Sequence, residues 1–135
     1  MILVDTGYVL ALVNPGDSLH QRARAWAGAI TEPLIVTEYV LWEIVNSLSL
    51  PVDRPKARAV VSSLRAASDC EVIPASGELF DAGLDLHARR PDKEWSLTDC
   101  ISFVVMQRRG LTRALAHDHH FEQAGFEALL RRDPA

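Results

Sequence analysis

The chain has 135 residues, 48% of them hydrophobic and 24% charged, with 14 basic residues against 18 acidic ones and a net charge of −4. That is ordinary usage for one soluble domain, here read as residues 1–135, and a chain of this length buries about two-thirds of the surface its unfolded form exposes, so its core needs neither disulfides nor a structural metal. The acidic balance argues against a nucleic-acid binder that works through a general basic surface.

Cys70 and Cys100 show no zinc-site or redox-pair spacing and read as reduced residues of a cytoplasmic protein. No apolar run approaches the roughly 18 residues of a membrane span. The opening Met1-Ile2-Leu3-Val4 lacks a basic leader and is cut short by Asp5, so no targeting segment and no membrane partner are expected.

In chain order, residues 2–4 predict a short buried strand whose turn, Asp5-Thr6-Gly7, feeds a helix over 8–13, broken by Asn14-Pro15-Gly16. Asp17 or Ser18 caps a second helix carrying Leu19, Ala23, Trp26 and Ala27, and residues 34–36 predict a second strand. A third helix is expected over 38–48. After the Pro51 and Pro55 punctuation, Val60, Val61 and Leu64 mark a fourth helix, and 71–74 predict a third strand. The fifth helix starts at Ser76, carries Leu79, Phe80, Gly83, Leu84 and His87 along one side, and runs into a polar loop over 89–94. Ser96-Leu97-Thr98-Asp99 has the form of a capping box opening a sixth helix that is apolar nearly all round. Residues 114–116 predict a fourth strand, Asp118 starts a short helix ending at Gly125, and 126–130 predict a final edge strand. Strands alternating with helices indicate an α/β fold with a mainly parallel sheet covered on both faces, in which ligands bind beyond the carboxyl ends of the strands.

Four acids are singled out, each with two readings. Asp5, Asp99 and Asp118 can all be explained as helix caps. Glu43, between Trp42 and Ile44, cannot; its plain reading is a wet stripe with Tyr39, Asn46 and Ser47. Gathered at one sheet edge, the four would repel one another and persist only with a cation, and oxygen-only ligands suit Mg²⁺ or Mn²⁺. If these four of the 18 acids were balanced by metal, the rest would match the 14 basic residues.

Ile2-Leu3-Val4-Asp5-Thr6, Glu43 in the third helix, Ser96-Leu97-Thr98-Asp99, and Asp118-His119-His120-Phe121 followed by Ala124-Gly125-Phe126 together resemble a PIN domain, more narrowly the VapC-type toxins of toxin–antitoxin pairs. Asp17, His20 and Ala23 add a minor match. The resemblance spans essentially the whole chain; no one motif is specific, but their order is. It implies a three-layer α/β/α sandwich and Mg²⁺- or Mn²⁺-dependent endoribonuclease activity on RNA, leaving 5′-phosphate and 3′-hydroxyl ends. It carries over Asp5, Glu43, Asp99 and Asp118 as catalytic and metal-binding residues, with Thr6 and Thr98 as hydroxyl neighbours. It also implies a cognate antitoxin, whose peptide presents an arginine to the carboxylates, and a homodimer. Gly7, where Ser or Asn is common, and Ala116, where Thr or Ser is common, depart from the pattern and remove side chains that could hydrogen-bond and orient the metal-binding carboxylates.

Arg89, Arg90 and Lys93 suggest a phosphate-gripping loop, with a solvated charged loop as the plain alternative. His117, His119 and His120 lack the paired spacing of zinc enzymes and cannot all turn toward one ion from regular structure. Trp26, Tyr39, Trp42 and Phe103 are expected in the core. Three rivals stand beside this reading. Asp5-Thr6-Gly7 matches the aspartic-protease triplet, but that architecture is almost all β. A receiver-like Mg²⁺-binding signalling domain with Asp53 as phosphoacceptor needs a lysine at a late strand end, and neither Lys56 nor Lys93 follows an apolar strand. The third is an interaction protein that keeps the PIN fold without catalysis.

Overall fold

The computed structural model describes residues 1–135. Five parallel strands, β1 (Ile2–Val4), β2 (Leu34–Thr37), β3 (Cys70–Ile73), β4 (Arg113–Leu115) and β5 (Glu127–Ala128), form one sheet in the order β3-β2-β1-β4-β5. The helices are α1 (Thr6–Val13), α2 (His20–Ala29), α3 (Glu38–Ser47), α4 (Arg54–Ala66), α5 (Gly77–Arg89), α6 (Leu97–Arg109) and α7 (His119–Gln123). None is long and apolar enough to cross a membrane.

β1 is central, paired with β2 through Ile2 and Leu34 and with β4 through Val4 and Leu115. Its three residues are apolar because both faces are covered. Ile2, Val4, Val36 and Leu115 pack with Val9, Trp26, Val40 and Ile44, from α1, α2 and α3, while Leu3, Ile35 and Ala114 pack with Leu79, Phe103, Met106 and Phe121, from α5, α6 and α7. The alternation of facing along each strand thus builds two cores and the three layers expected. The chain moves outward from β1 to β2 and β3, then crosses back to β4 on the other side. The carboxyl ends of β1 and β4 therefore flank the point where strand order reverses, the place where ligands bind in sheets of this kind.

Gly83 lets α5 and α6 approach closely, since a Cβ there would collide with Ile101 Cγ1. α6 ends at Gly110, whose left-handed backbone (φ 65°) closes the helix.

Several sequence expectations need correction. Leu19, not Asp17 or Ser18, is the N-cap of α2; Asp17 instead accepts the Leu19 amide at 2.8 Å in the preceding turn. On α5 the inward stripe contains Leu79, Ala82, Gly83 and Leu86, whereas Phe80, Leu84 and His87 are exposed. The last strand is only two residues long, because Leu129–Arg131 turn into a 3-10 helix that buries Leu129 and Leu130. Trp26 and Phe103 are buried, but Trp42 is 67% exposed. Asp53 lies in the turn between α3 and α4 rather than directly after a strand, and the strand order differs from the 2-1-3-4-5 order of receiver domains.

Candidate active site

Asp5 follows β1 directly, and its amide donates to the Leu115 carbonyl at 3.2 Å, which ties it to the end of β4. It occupies the N-cap position of α1 with extended backbone, yet its side chain makes no capping hydrogen bond. Burial pushes its carboxyl up from 3.8 to about 7, and the charges of Asp99, Glu43 and Asp118 push the same way against the nearby Thr6 amide. The other three predicted acids therefore all act on Asp5 at this edge of the sheet.

Glu43 is half-buried on α3, and its Oε1 accepts the Thr6 hydroxyl at 2.6 Å. The wet-stripe reading fits Asn46 and Ser47, which are exposed, but not Glu43, whose carboxylate is held across to α1. Tyr39 is half-buried, with its hydroxyl donating to the Ser76 carbonyl at 2.9 Å.

Asp99 does cap α6: the Ser96 hydroxyl accepts the Asp99 amide at 3.0 Å, and Asp99 Oδ2 accepts the Ser96 amide at 3.3 Å. Asp118 caps α7, its Oδ1 accepting the His120 amide at 3.0 Å. Capping and convergence are not alternatives here. The sheet topology brings the N-termini of α1, α6 and α7 to one edge, so the acids that terminate those helices also meet one another.

His120 is the residue that sequence reasoning undervalued. Its Nδ1 lies 3.2 Å from Asp99 Oδ2 and 3.2 Å from Asp118 Oδ1, joining α6 to α7. His119 Nδ1 also reaches Asp118 Oδ1, at 3.3 Å. Two of the three histidines thus turn toward one carboxylate, because the extended backbone at Asp118 folds its side chain back over the first turn of α7. The signal available was the placement of His120 two residues after a capping aspartate, where its amide and ring can share one acceptor.

Thr98 lies in the first turn of α6 but makes no side-chain hydrogen bond to the four acids, so of the two hydroxyl neighbours only Thr6 is engaged. Arg90 makes two 3.0 Å hydrogen bonds to Asp92 and lies 5.0 Å from the centre of the Trp95 ring. Lys93 Nζ is 3.9 Å from the same Asp92, and Arg89 Nε is 3.4 Å from the Asp85 carbonyl. His20 takes a structural part, its Nδ1 lying 2.7 Å from the Ala11 carbonyl where α2 packs on α1. A Cβ at Gly7 would meet nothing within 4 Å, so the missing side chain there leaves open space.

A parallel 3-2-1-4-5 sheet with four carboxylates at its switch point defines the class, and the PIN domain family model matches residues 2–127. The chain belongs to the PIN-domain family, in its VapC-type toxin branch. A 23S rRNA-specific endonuclease, VapC20 of Mycobacterium tuberculosis, is 32% identical over 128 residues, 93% of this chain and 95% of the relative. The crystal structure of M. tuberculosis VapC20, a sarcin-ricin loop cleaving toxin, superposes with a TM-score of 0.86 at 28% identity, covering 93% of this chain and 96% of that one. FitAcB from Neisseria gonorrhoeae shares the fold, with a TM-score of 0.66 at 18% identity over 95% of each chain.

Proposed function

We propose that this chain is a divalent-metal-dependent endoribonuclease, the toxin of a VapBC-type pair, and that residues 1–135 act as one PIN-like domain. The observation that carries the reading is Asp5, half-buried beside three other carboxylates and raised to about 7. Without a cation that arrangement is self-repelling; with one it is a ligand set of oxygens suited to Mg²⁺ or Mn²⁺. The donor chemistry therefore fits the metal that the family implies.

Asp5, Asp99 and Asp118 would hold the ion directly or through water, and Glu43 would bind it or orient the attacking water. A divalent ion so held lowers the pKa of water and screens the charge of a phosphodiester. The chain's own contribution is positioning. The Thr6 hydroxyl fixes one Glu43 oxygen, the Ser96 capping box sets the direction of Asp99, and His120 holds Asp99 and Asp118 at a constant separation. Arg89, Arg90 and Lys93 stand in the approach to α6, which carries Asp99, and would meet substrate phosphates, Arg90 after leaving Asp92.

The relatives' names direct the search for a substrate to ribosomal RNA, and the likeness to a toxin–antitoxin complex from Klebsiella pneumoniae and to FitAB directs the search for a partner to an antitoxin. An arginine of that partner would compete with the cation for the carboxylates. Both partners belong to the cytoplasm, where we place the chain. The exposed Phe80 and Leu84, one helical turn apart on α5, form an apolar strip suited to a homodimer contact.

The test is to incubate the purified chain with ribosomes and with total RNA and to map the ends. Hydrolysis by an activated water leaves 5′-phosphate and 3′-hydroxyl ends. Products ending in 2′,3′-cyclic phosphate would mean attack by the neighbouring ribose hydroxyl and would overturn the mechanism.

A further inference from the structure

The geometry points to a second, nitrogen-bearing metal site formed by Asp118, His119 and His120, which we propose binds zinc. One donor atom from each of the three residues lies within 4.8 Å of the others. The two ring Nδ1 atoms sit 3.2 and 3.3 Å from the same Asp118 oxygen. Donors bound at about 2.0–2.1 Å to a tetrahedral ion are about 3.3–3.4 Å apart, so both separations already match a zinc coordination edge.

Hydrogen bonding accounts for part of the cluster, His120 Nδ1 to Asp99 and the His120 amide to Asp118, and leaves the approach of His119 Nδ1 to Asp118 Oδ1 unexplained. Asp118 Oδ1 already accepts the His120 amide at 3.0 Å, and two ring nitrogens crowd the same oxygen. His120 Nδ1 is also equidistant from Asp99 and Asp118 and has at most one proton to offer them. A cation among these donors satisfies them together. His119 is 62% exposed and can rotate to complete the set, and water or Asp99 can supply the fourth position. Two imidazoles with carboxylate select zinc over magnesium, which prefers oxygen ligands and keeps its waters.

Zinc bound here takes Asp118 away from the oxygen-ligand set and blocks the nuclease. The site itself does not rest on the nuclease reading, because its donors are defined without Asp5 or Glu43.

Zinc is titrated into the metal-free full chain against a chromogenic chelator, using wild type, His119→Ala, His120→Ala and Asp5→Asn. One zinc per chain is expected, with at least about tenfold weaker binding in both histidine variants and unchanged binding in Asp5→Asn. His119, exposed, can be replaced without threatening the fold, so its variant decides the matter. Zinc binding by His119→Ala equal to wild type, or its displacement from wild type by millimolar Mg²⁺, would overturn the proposal. Loss of zinc inhibition in His119→Ala, with Mg²⁺-supported cleavage intact, would confirm the functional consequence. If no RNA is cleaved at all, the zinc titration still stands alone.

Discussion

Asp5 concentrates the conflict between stability and function in one side chain. In the folded protein its carboxyl stays protonated up to about pH 7, whereas in the unfolded chain it ionises near 3.8. The folded state thus binds the extra proton between these values, so the metal-free protein loses stability as pH rises from about 4 to 7 and gains none back above that. Thermal melts in chelator should show a lower Tm at pH 8 than at pH 5.5. Asp5→Asn should remove most of that slope and stabilise the metal-free protein at pH 8 by on the order of 2 kcal/mol, while abolishing cleavage. Thr6→Val tests a subtler arrangement: losing the 2.6 Å bond to Glu43 should lower kcat about tenfold and leave RNA affinity nearly unchanged, as single-turnover kinetics would report. The acids were legible in the sequence because each sits at a signalled boundary or interrupts an apolar helix. His120 was not, because its importance lies in facing two carboxylates from different elements, and no local spacing encodes that.

Among the elements, the α5–α6 pair depends on one missing methyl group. Gly83→Ala drives a Cβ into Ile101 and should destabilise the protein by about 1–3 kcal/mol in urea melts, more than its gain in helix propensity returns. Sequence periodicity located this pair of helices but misjudged the facing of α5. Phe80, Leu84 and His87 do follow a helical spacing, yet α6 packs on the neighbouring stripe, where Gly83 permits close approach. Trp42 was misplaced for a similar reason. Hydrophobicity alone assigns it to the core, while the inward face of α3 is already filled by Val40, Leu41 and Ile44. The final strand was overestimated because an apolar run ending in Leu129-Leu130 reads the same whether it pairs along an edge or coils into a 3-10 turn beneath α2.

At the scale of the whole molecule, α/β alternation predicted a parallel sheet and a functional carboxyl edge, but not the strand order. That order depends on which side of β1 the chain crosses to after β3, a long-range choice that no window of residues records. It is also what brings Asp118 beside Asp5 rather than across the sheet from it. The apolar strip on α5 carries a prediction at this scale: if the proposed homodimer forms there, Phe80→Glu with Leu84→Glu should convert it to a monomer in sedimentation velocity while the fold is kept, since both side chains are exposed. The charge balance has a counterpart as well. On the proposed commitment of four acids to a cation, the rest of the molecule is close to neutral, and RNA would be gripped by placed residues rather than by a general basic surface.

The central claim is that the carboxylates of Asp5, Glu43, Asp99 and Asp118 work as one divalent-metal site that cleaves RNA. Its most direct test is cleavage of a mixed RNA pool by the purified chain in Mg²⁺, Mn²⁺ or EDTA, comparing wild type with Asp5→Asn and Asp99→Asn. Cuts that require metal and vanish in both variants are predicted; cuts that persist in EDTA, or in either variant at the wild-type rate, would contradict the account.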